Sequence, residues 1–297
     1  MRRPNTFIIG APKCGTTSLC DYLAARDDVF FSSIKEPCHF NCHELQSEEF
    51  RDRSAYEALF SDANDEAVIA EGSVFSAFDT TSVPMILDYS PGARFIMALR
   101  PPADLVLSWH KQLLRSGNEP EPDPRKAWDL SELRLNGTVS VPSIRSLPLV
   151  DYPRFGALGS QLRQLYKVLP RERLFLILME DMRTRPAEVL HELNNFLGLP
   201  NRTDQSLPFS NSGYEPYNYA LQHSILKSAS ILKKCIGIKG RTGLVGKLIR
   251  WLGSRERYLA DLENDLRDEL VKHFDLEVRL LEELTGRCLA HWRTPRQ

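Results

Sequence analysis

An apolar run, Thr6-Phe-Ile-Ile-Gly10, leads directly into Pro12-Lys-Cys-Gly-Thr-Thr-Ser-Leu19, after which Leu19, Tyr22 and Leu23 share one helical face. The pattern predicts a strand, a tight turn and a helix whose first N–H groups lack partners within the helix. Lys13 supplies a cation, Gly15 lets the backbone approach a ligand closely, and Thr16, Thr17 and Ser18 add hydroxyl donors. The segment Lys13, Cys14, Gly15, Thr16, Thr17, Ser18 is therefore expected to cradle an anionic group. In the ordinary phosphate loop, G-x-x-x-x-G-K-[ST], the Lys follows the second Gly and a metal-binding hydroxyl follows the Lys. Here Lys13 precedes Gly15, which puts its charge on the ascending limb, close to where a terminal group would leave.

A second buried strand is expected over Ala93-Arg-Phe-Ile-Met-Ala-Leu-Arg100, passing through Pro101-Pro102 into a helix that carries Ser108, Trp109 and His110. Strand tips are where α/β folds place ligand groups. A nucleotide triphosphatase often ends such a strand in a metal-binding Asp, whereas Arg100 offers a planar fork suited to a phosphate. A third cationic element, Cys235-Ile-Gly-Ile-Lys-Gly-Arg-Thr242, sets Lys239 and Arg241 either side of Gly240, a loop able to close over a phosphate or a purine face.

These residues together resemble the sulfotransferases that use 3′-phosphoadenosine 5′-phosphosulfate (PAPS), and more closely the carbohydrate-modifying, heparan-sulfate-type branch than the branch acting on phenols and steroids. In that family an Arg followed eight residues later by a Ser holds the 3′-phosphate, a spacing that Arg100 and Ser108 reproduce. The likeness continues in Glu180-Asp-Met to Pro186 after the apolar Leu174-Phe-Leu-Ile-Leu178, in the segment around Tyr152, and in Leu284-Thr-Gly286 to Trp292. It implies a P-loop-like, three-layer α/β fold with a central parallel sheet. It also implies transfer of a sulfo group from PAPS to a hydroxyl of a carbohydrate, glycolipid or small molecule, with adenosine 3′,5′-bisphosphate as the product and no metal. Lys13 to Ser18 then hold the 5′-phosphosulfate, Arg100 and Ser108 the 3′-phosphate, and Lys239, Gly240 and Arg241 close the nucleotide site.

Sulfuryl transfer in line between two oxygens depends chiefly on positioning and charge stabilisation, for which Lys13 is the clamp. The resemblance makes Glu36, in Lys35-Glu36-Pro37, the carboxylate base, with Pro37 stiffening its loop. His39 is the rival base, since imidazole titrates nearer neutrality. Two departures from the family stand out: Cys38 intervenes to place His39 three residues after Glu36 where relatives have two, and Gly72 follows Glu71 where relatives often carry Lys. Two other readings remain open at this level, an ATP-dependent small-molecule kinase with Glu71 near a metal, and a nucleotide-binding protein without turnover.

The elements that position these residues follow from periodicity. Strands are expected at 6–10, 29–31 and 68–71 and helices at about 16–25, 48–60 and 81–89, an alternation that implies a parallel sheet covered on both faces. Residues 117–150, with Glu119-Pro-Glu-Pro-Asp-Pro124, read as an irregular surface excursion bordering the substrate cleft, and 256–297 as C-terminal helices. With no linker or charge run to divide them, the 297 residues are expected to form a single domain. The 38 basic and 39 acidic side chains leave no bulk charge to attract nucleic acid, so any anion site must be local. No signal peptide or apolar run near the roughly 20 residues of a membrane span is visible, and a soluble, cytoplasmic bacterial protein is expected. The six cysteines read as thiols. The cluster Cys38-His-Phe-Asn-Cys-His43 has zinc-ligand residue types but neither a C-x₂-C loop nor a second pair nearby.

Overall fold

A computed structural model describes residues 2–140, 146–201 and 266–294. Five strands form one sheet, all parallel: β1 (Thr6–Gly10), β2 (Val29–Phe31), β3 (Val68–Glu71), β4 (Arg94–Leu99) and β5 (Leu174–Leu178), in the spatial order β2-β3-β1-β4-β5. Every residue of β1 and β3 is buried, as is β4 from Phe95 onward, while the outer strands β2 and β5 are only partly so. Adjacent side chains on a strand point to opposite faces, so unbroken burial means that both faces of the central strands are covered. The covering helices are α1 (Thr16–Ala24), α2 (Arg53–Ala58), α3 (Ser82–Tyr89), α4 (Pro102–Ser116), α5 (Pro124–Leu135), α6 (Tyr152–Gly156), α7 (Leu158–Val168), α8 (Met179–Thr184), α9 (Pro186–Leu197) and α10 (Asp275–Thr285). The architecture is thus the expected α/β class. Residues 266–273 are also helical, and α10 packs on α7, where Glu277 accepts from the N–H and hydroxyl of Ser160 at 2.7 and 2.6 Å.

Two expectations are corrected. The helix expected over 48–60 is confined to Arg53–Ala58, because the Asp52 carboxylate accepts the Ala55 N–H at 3.0 Å and starts the helix there. The stretch 117–150 is not irregular throughout: α5 occupies Pro124–Leu135, with Asp123 accepting from the N–H groups of Arg125 and Lys126. The Asp-Pro pair that suggests a break is a cap followed by proline at the first helical position, where its missing N–H costs nothing. Of the C-terminal helices expected over 256–297, residues 256–265 and 295–297 lie outside the described residues.

Candidate active site

The chain leaving β1 heads for β2 on one side of the sheet, and the chain leaving β4 heads for β5 on the other. The β1/β4 boundary is therefore the switch point at which a crevice opens beyond the strand tips. A register shift between Ile8 and Gly10 re-aims the end of β1 there. At Gly10, a Cβ would lie 3.0 Å from the Val74 carbonyl oxygen and 3.2 Å from Ala77 Cβ, so the close passage of this turn against residues 74–77 requires glycine.

Gly15 caps α1 in the left-handed region at φ 84° and, having no side chain, itself offers the first helical N–H groups no side-chain acceptor. Those donors face the loop, the arrangement that binds an anion. Lys13, also left-handed at φ 65°, sends its ammonium to Gln112 Oε1 at 3.3 Å. Arg100, one residue past β4, donates from Nη1 to the Lys13 carbonyl at 3.0 Å, so two adjacent strand tips are clasped through one loop. Among the described residues its buried Nε has no partner. A buried guanidinium donor left without a partner is costly, and an anionic ligand would satisfy it.

Around the loop the cations are numerous. Burial first, then Arg115, Arg100 and Lys35, push the Lys13 ammonium down to about 8, with the Glu36 carboxylate acting in the opposite direction. Lys35 donates to Thr17 Oγ1 at 2.6 Å and lies 3.7 Å from Glu36. Thr16 is buried, Thr17 and Ser18 are partly so, and Cys14 is buried with its N–H on the Ala11 carbonyl and its thiol on Pro12 O at 3.6 Å. Burial pushes the Cys14 thiol up to about 12. Its contribution is packing beneath the turn.

Ser108 stands on the second turn of α4. Gln112 is four residues further along and Arg115 three beyond that, so all three share the face toward the phosphate loop. Gln112 and Arg115 were not singled out from the sequence, although their spacing from Ser108 carries that signal.

Glu36 sits on the segment between β2 and α2. Glu36 and Cys38 adopt φ of 60° and 52°, positions that cost a non-glycine residue free energy and need outside support. The Glu36 N–H donates to the Gly72 carbonyl at 3.2 Å and the Cys38 N–H to Ser73 Oγ at 2.9 Å. His39 faces differently. Its ring stacks on Tyr56 at 4.4 Å and 9°, and Nδ1–H donates to the Phe50 carbonyl at 2.6 Å, which fixes the tautomer and ties the ring to an aromatic cluster with Phe40. At Gly72 a Cβ would meet Cys20 Sγ at 2.9 Å, so a lysine there would require Cys20 to move. Lys239, Gly240 and Arg241 lie outside the described residues. Among the described residues, no group of three or more His, Cys, Asp or Glu side chains is placed to hold a metal, and no helix is long and apolar enough to cross a membrane.

The fold and loop define a P-loop-like α/β protein whose loop carries its lysine and hydroxyls in other than the usual order. The sulfotransferase domain family matches residues 3–228, and the chain belongs to that family. Membership sets aside the kinase alternative. Over 99% of this chain and 100% of the other, it is similar to a solved sulfotransferase from Alicyclobacillus acidocaldarius, with a TM-score of 0.70 and 25% identity. Human and rat carbohydrate sulfotransferase 15 are each 59% identical to it over 34 residues, which make up 11% of this chain and 6% of those proteins, a small part of the relatives' length.

Proposed function

We propose that this sulfotransferase takes PAPS as donor and a hydroxyl of a carbohydrate, glycolipid or small molecule as acceptor, releasing adenosine 3′,5′-bisphosphate. The observation that carries the reading is the clasp of Arg100 on Lys13, with a buried Arg100 Nε that has no partner among the described residues and α1 starting at Gly15 just beyond the clasp. That donor set fits a nucleotide with phosphate groups at both ends. Lys13, Gly15, Thr16, Thr17 and Ser18 would hold the 5′ end with Cys14 packed beneath, and Arg100 with Ser108 the 3′-phosphate. Lys239, Gly240 and Arg241 join them by family resemblance. Bound there, PAPS supplies an activated sulfo group.

Lys13 would supply the cation for charge developing on the departing nucleotide. Glu36 takes the proton of the acceptor hydroxyl, with the Lys35 ammonium 3.7 Å from its carboxylate. We take the whole chain, 1–297, as one transferase domain with 117–150 on the acceptor side. The buried contacts of Glu119 with Arg134 within this stretch and with Tyr152 of α6 tie it to the rest of the fold and support the single domain.

Calorimetry tests the donor assignment. Adenosine 3′,5′-bisphosphate should bind at least about tenfold more tightly than adenosine 5′-monophosphate, because a charge-assisted contact to Arg100 is worth about 1.5–3 kcal/mol. Equal affinities, or a preference for ATP, would overturn it. Mass gain of one sulfo group in an acceptor screen with labelled PAPS then identifies the acceptor.

A further inference from the structure

Glu71, the last residue of β3, is fully enclosed, and none of the contacts described for it gives it a cationic partner. Its Oε2 accepts from Ser73 Oγ at 2.7 Å, and the same Ser73 oxygen accepts the Cys38 N–H at 2.9 Å. A hydroxyl has one proton and two lone pairs. With the proton committed to Glu71, a lone pair of Oγ is turned toward Cys38. The Gly72 carbonyl, between these two residues, holds the Glu36 N–H. Three consecutive residues leaving β3 thus grip the two positions of the 36–38 segment that carry left-handed backbone. Without that grip a Glu and a Cys at positive φ would relax toward ordinary backbone.

We propose that Glu71 and Ser73 are positioning residues that hold the Lys35–Cys38 segment in its strained turn, so that the Glu36 carboxylate stays beside the Lys13 loop. The proposal rests on Glu36 being the base and supplies what the family match does not, the reason that a buried carboxylate is kept at the end of β3. Among the described residues, the groups facing Glu71 are Glu36 and Cys38 from the segment itself, Cys20 from α1 and Tyr56 from α2, whose hydroxyl is buried with no partner among them. None of them is a cation. Pairing therefore does not explain the carboxylate, whereas its role as the acceptor that orients Ser73 does.

The test compares two pairs of variants. Glu71→Leu and Ser73→Ala remove the acceptor and the hydroxyl; Glu71→Gln and Ser73→Thr retain them. Trypsin is applied to the free proteins, and the peptide ending at the exposed Lys35 is followed by mass spectrometry, with the melting temperature of each variant as the control for global stability. Cleavage after Lys35 should quicken about tenfold in Glu71→Leu and Ser73→Ala and stay near wild type in the conservative pair. In steady state the same two variants should lose about 10- to 100-fold in kcat, with the affinity for adenosine 3′,5′-bisphosphate within about twofold of wild type. Unchanged cleavage at Lys35 in both disruptive variants, or equal quickening in all four, overturns the proposal. Should Glu71→Leu fail to fold, Ser73→Ala decides alone. If cleavage follows the expected order while Glu36→Gln keeps full turnover, the holding role stands and the assignment of the base falls.

Discussion

At the scale of single residues, the charge on Lys13 is the most informative quantity. In the free protein its ammonium is pushed down to about 8, so above that pH part of the population is neutral. An anion bound at the loop favours the charged form and returns the proton. Binding of adenosine 3′,5′-bisphosphate should therefore take up a proton at about pH 8.5–9 and none at pH 6.5. Calorimetry in buffers of different ionisation heat measures this, and affinity should weaken as pH rises through about 8. A second expectation separates Glu36 from His39. Glu36→Gln should cut turnover roughly 10²–10⁴-fold with nucleotide affinity nearly unchanged. His39→Asn should cost less in turnover and more in melting temperature, because the ring is committed to Tyr56 and the Phe50 carbonyl. The reverse order would make His39 the base.

At the scale of elements, β3 carries a titrating group into the core. Burial, with Glu36 adding to it and Ser73 opposing, raises Glu71 from its ordinary 4.5 to about 7. An acid raised on folding binds its proton more tightly in the native state, so its contribution is fully present below about 4.5 and is lost as pH rises toward 7. Over that window stability should fall by about 1.4 kcal/mol per pH unit from this group. Glu71→Gln removes the titration and should flatten the curve of unfolding free energy against pH between about 5 and 7, measured by urea at each pH. A slope equal to that of the wild type would show that Glu71 is ionised throughout.

At the scale of the molecule, α5 and α6 are joined to the segment that follows α4 by one buried knot. Arg134 donates to both carboxylate oxygens of Glu119 at 2.7 and 3.0 Å, the Tyr152 hydroxyl donates to the same carboxylate at 2.7 Å, and the ion pair is almost wholly enclosed. Removing one partner leaves an uncompensated buried charge, which costs about 3–5 kcal/mol. Glu119→Ala should accordingly lower the unfolding free energy by about that amount in urea titration, far more than loss of the exposed Arg279–Asp275 pair, whose attraction water screens. A loss under 1 kcal/mol would mean that this region is held by apolar packing instead.

The strand–turn–helix at 6–24, the second strand tip at Arg100 and the alternation that builds the sheet were legible in the sequence because they rest on local rules: strand periodicity, unpartnered helix N–H groups and the chemistry of each side chain. The helix at Pro124–Leu135 was just as local. Its Asp-Pro start has two meanings, and only the accepted N–H groups chose between them. What tertiary structure alone decided is which residues meet. Gln112 and Arg115 reach Lys13 because α4 brings its second half to the loop that follows β1, and Lys35 reaches Thr17 because β2 lies two strands from β1 with its exit loop turned inward. His39 and Glu36, three residues apart, are drawn to different neighbours by two left-handed residues and an aromatic cluster. Contacts between segments distant in sequence depend on strand order and loop path, which the whole chain fixes by burying its apolar surface, and no short stretch of sequence contains them.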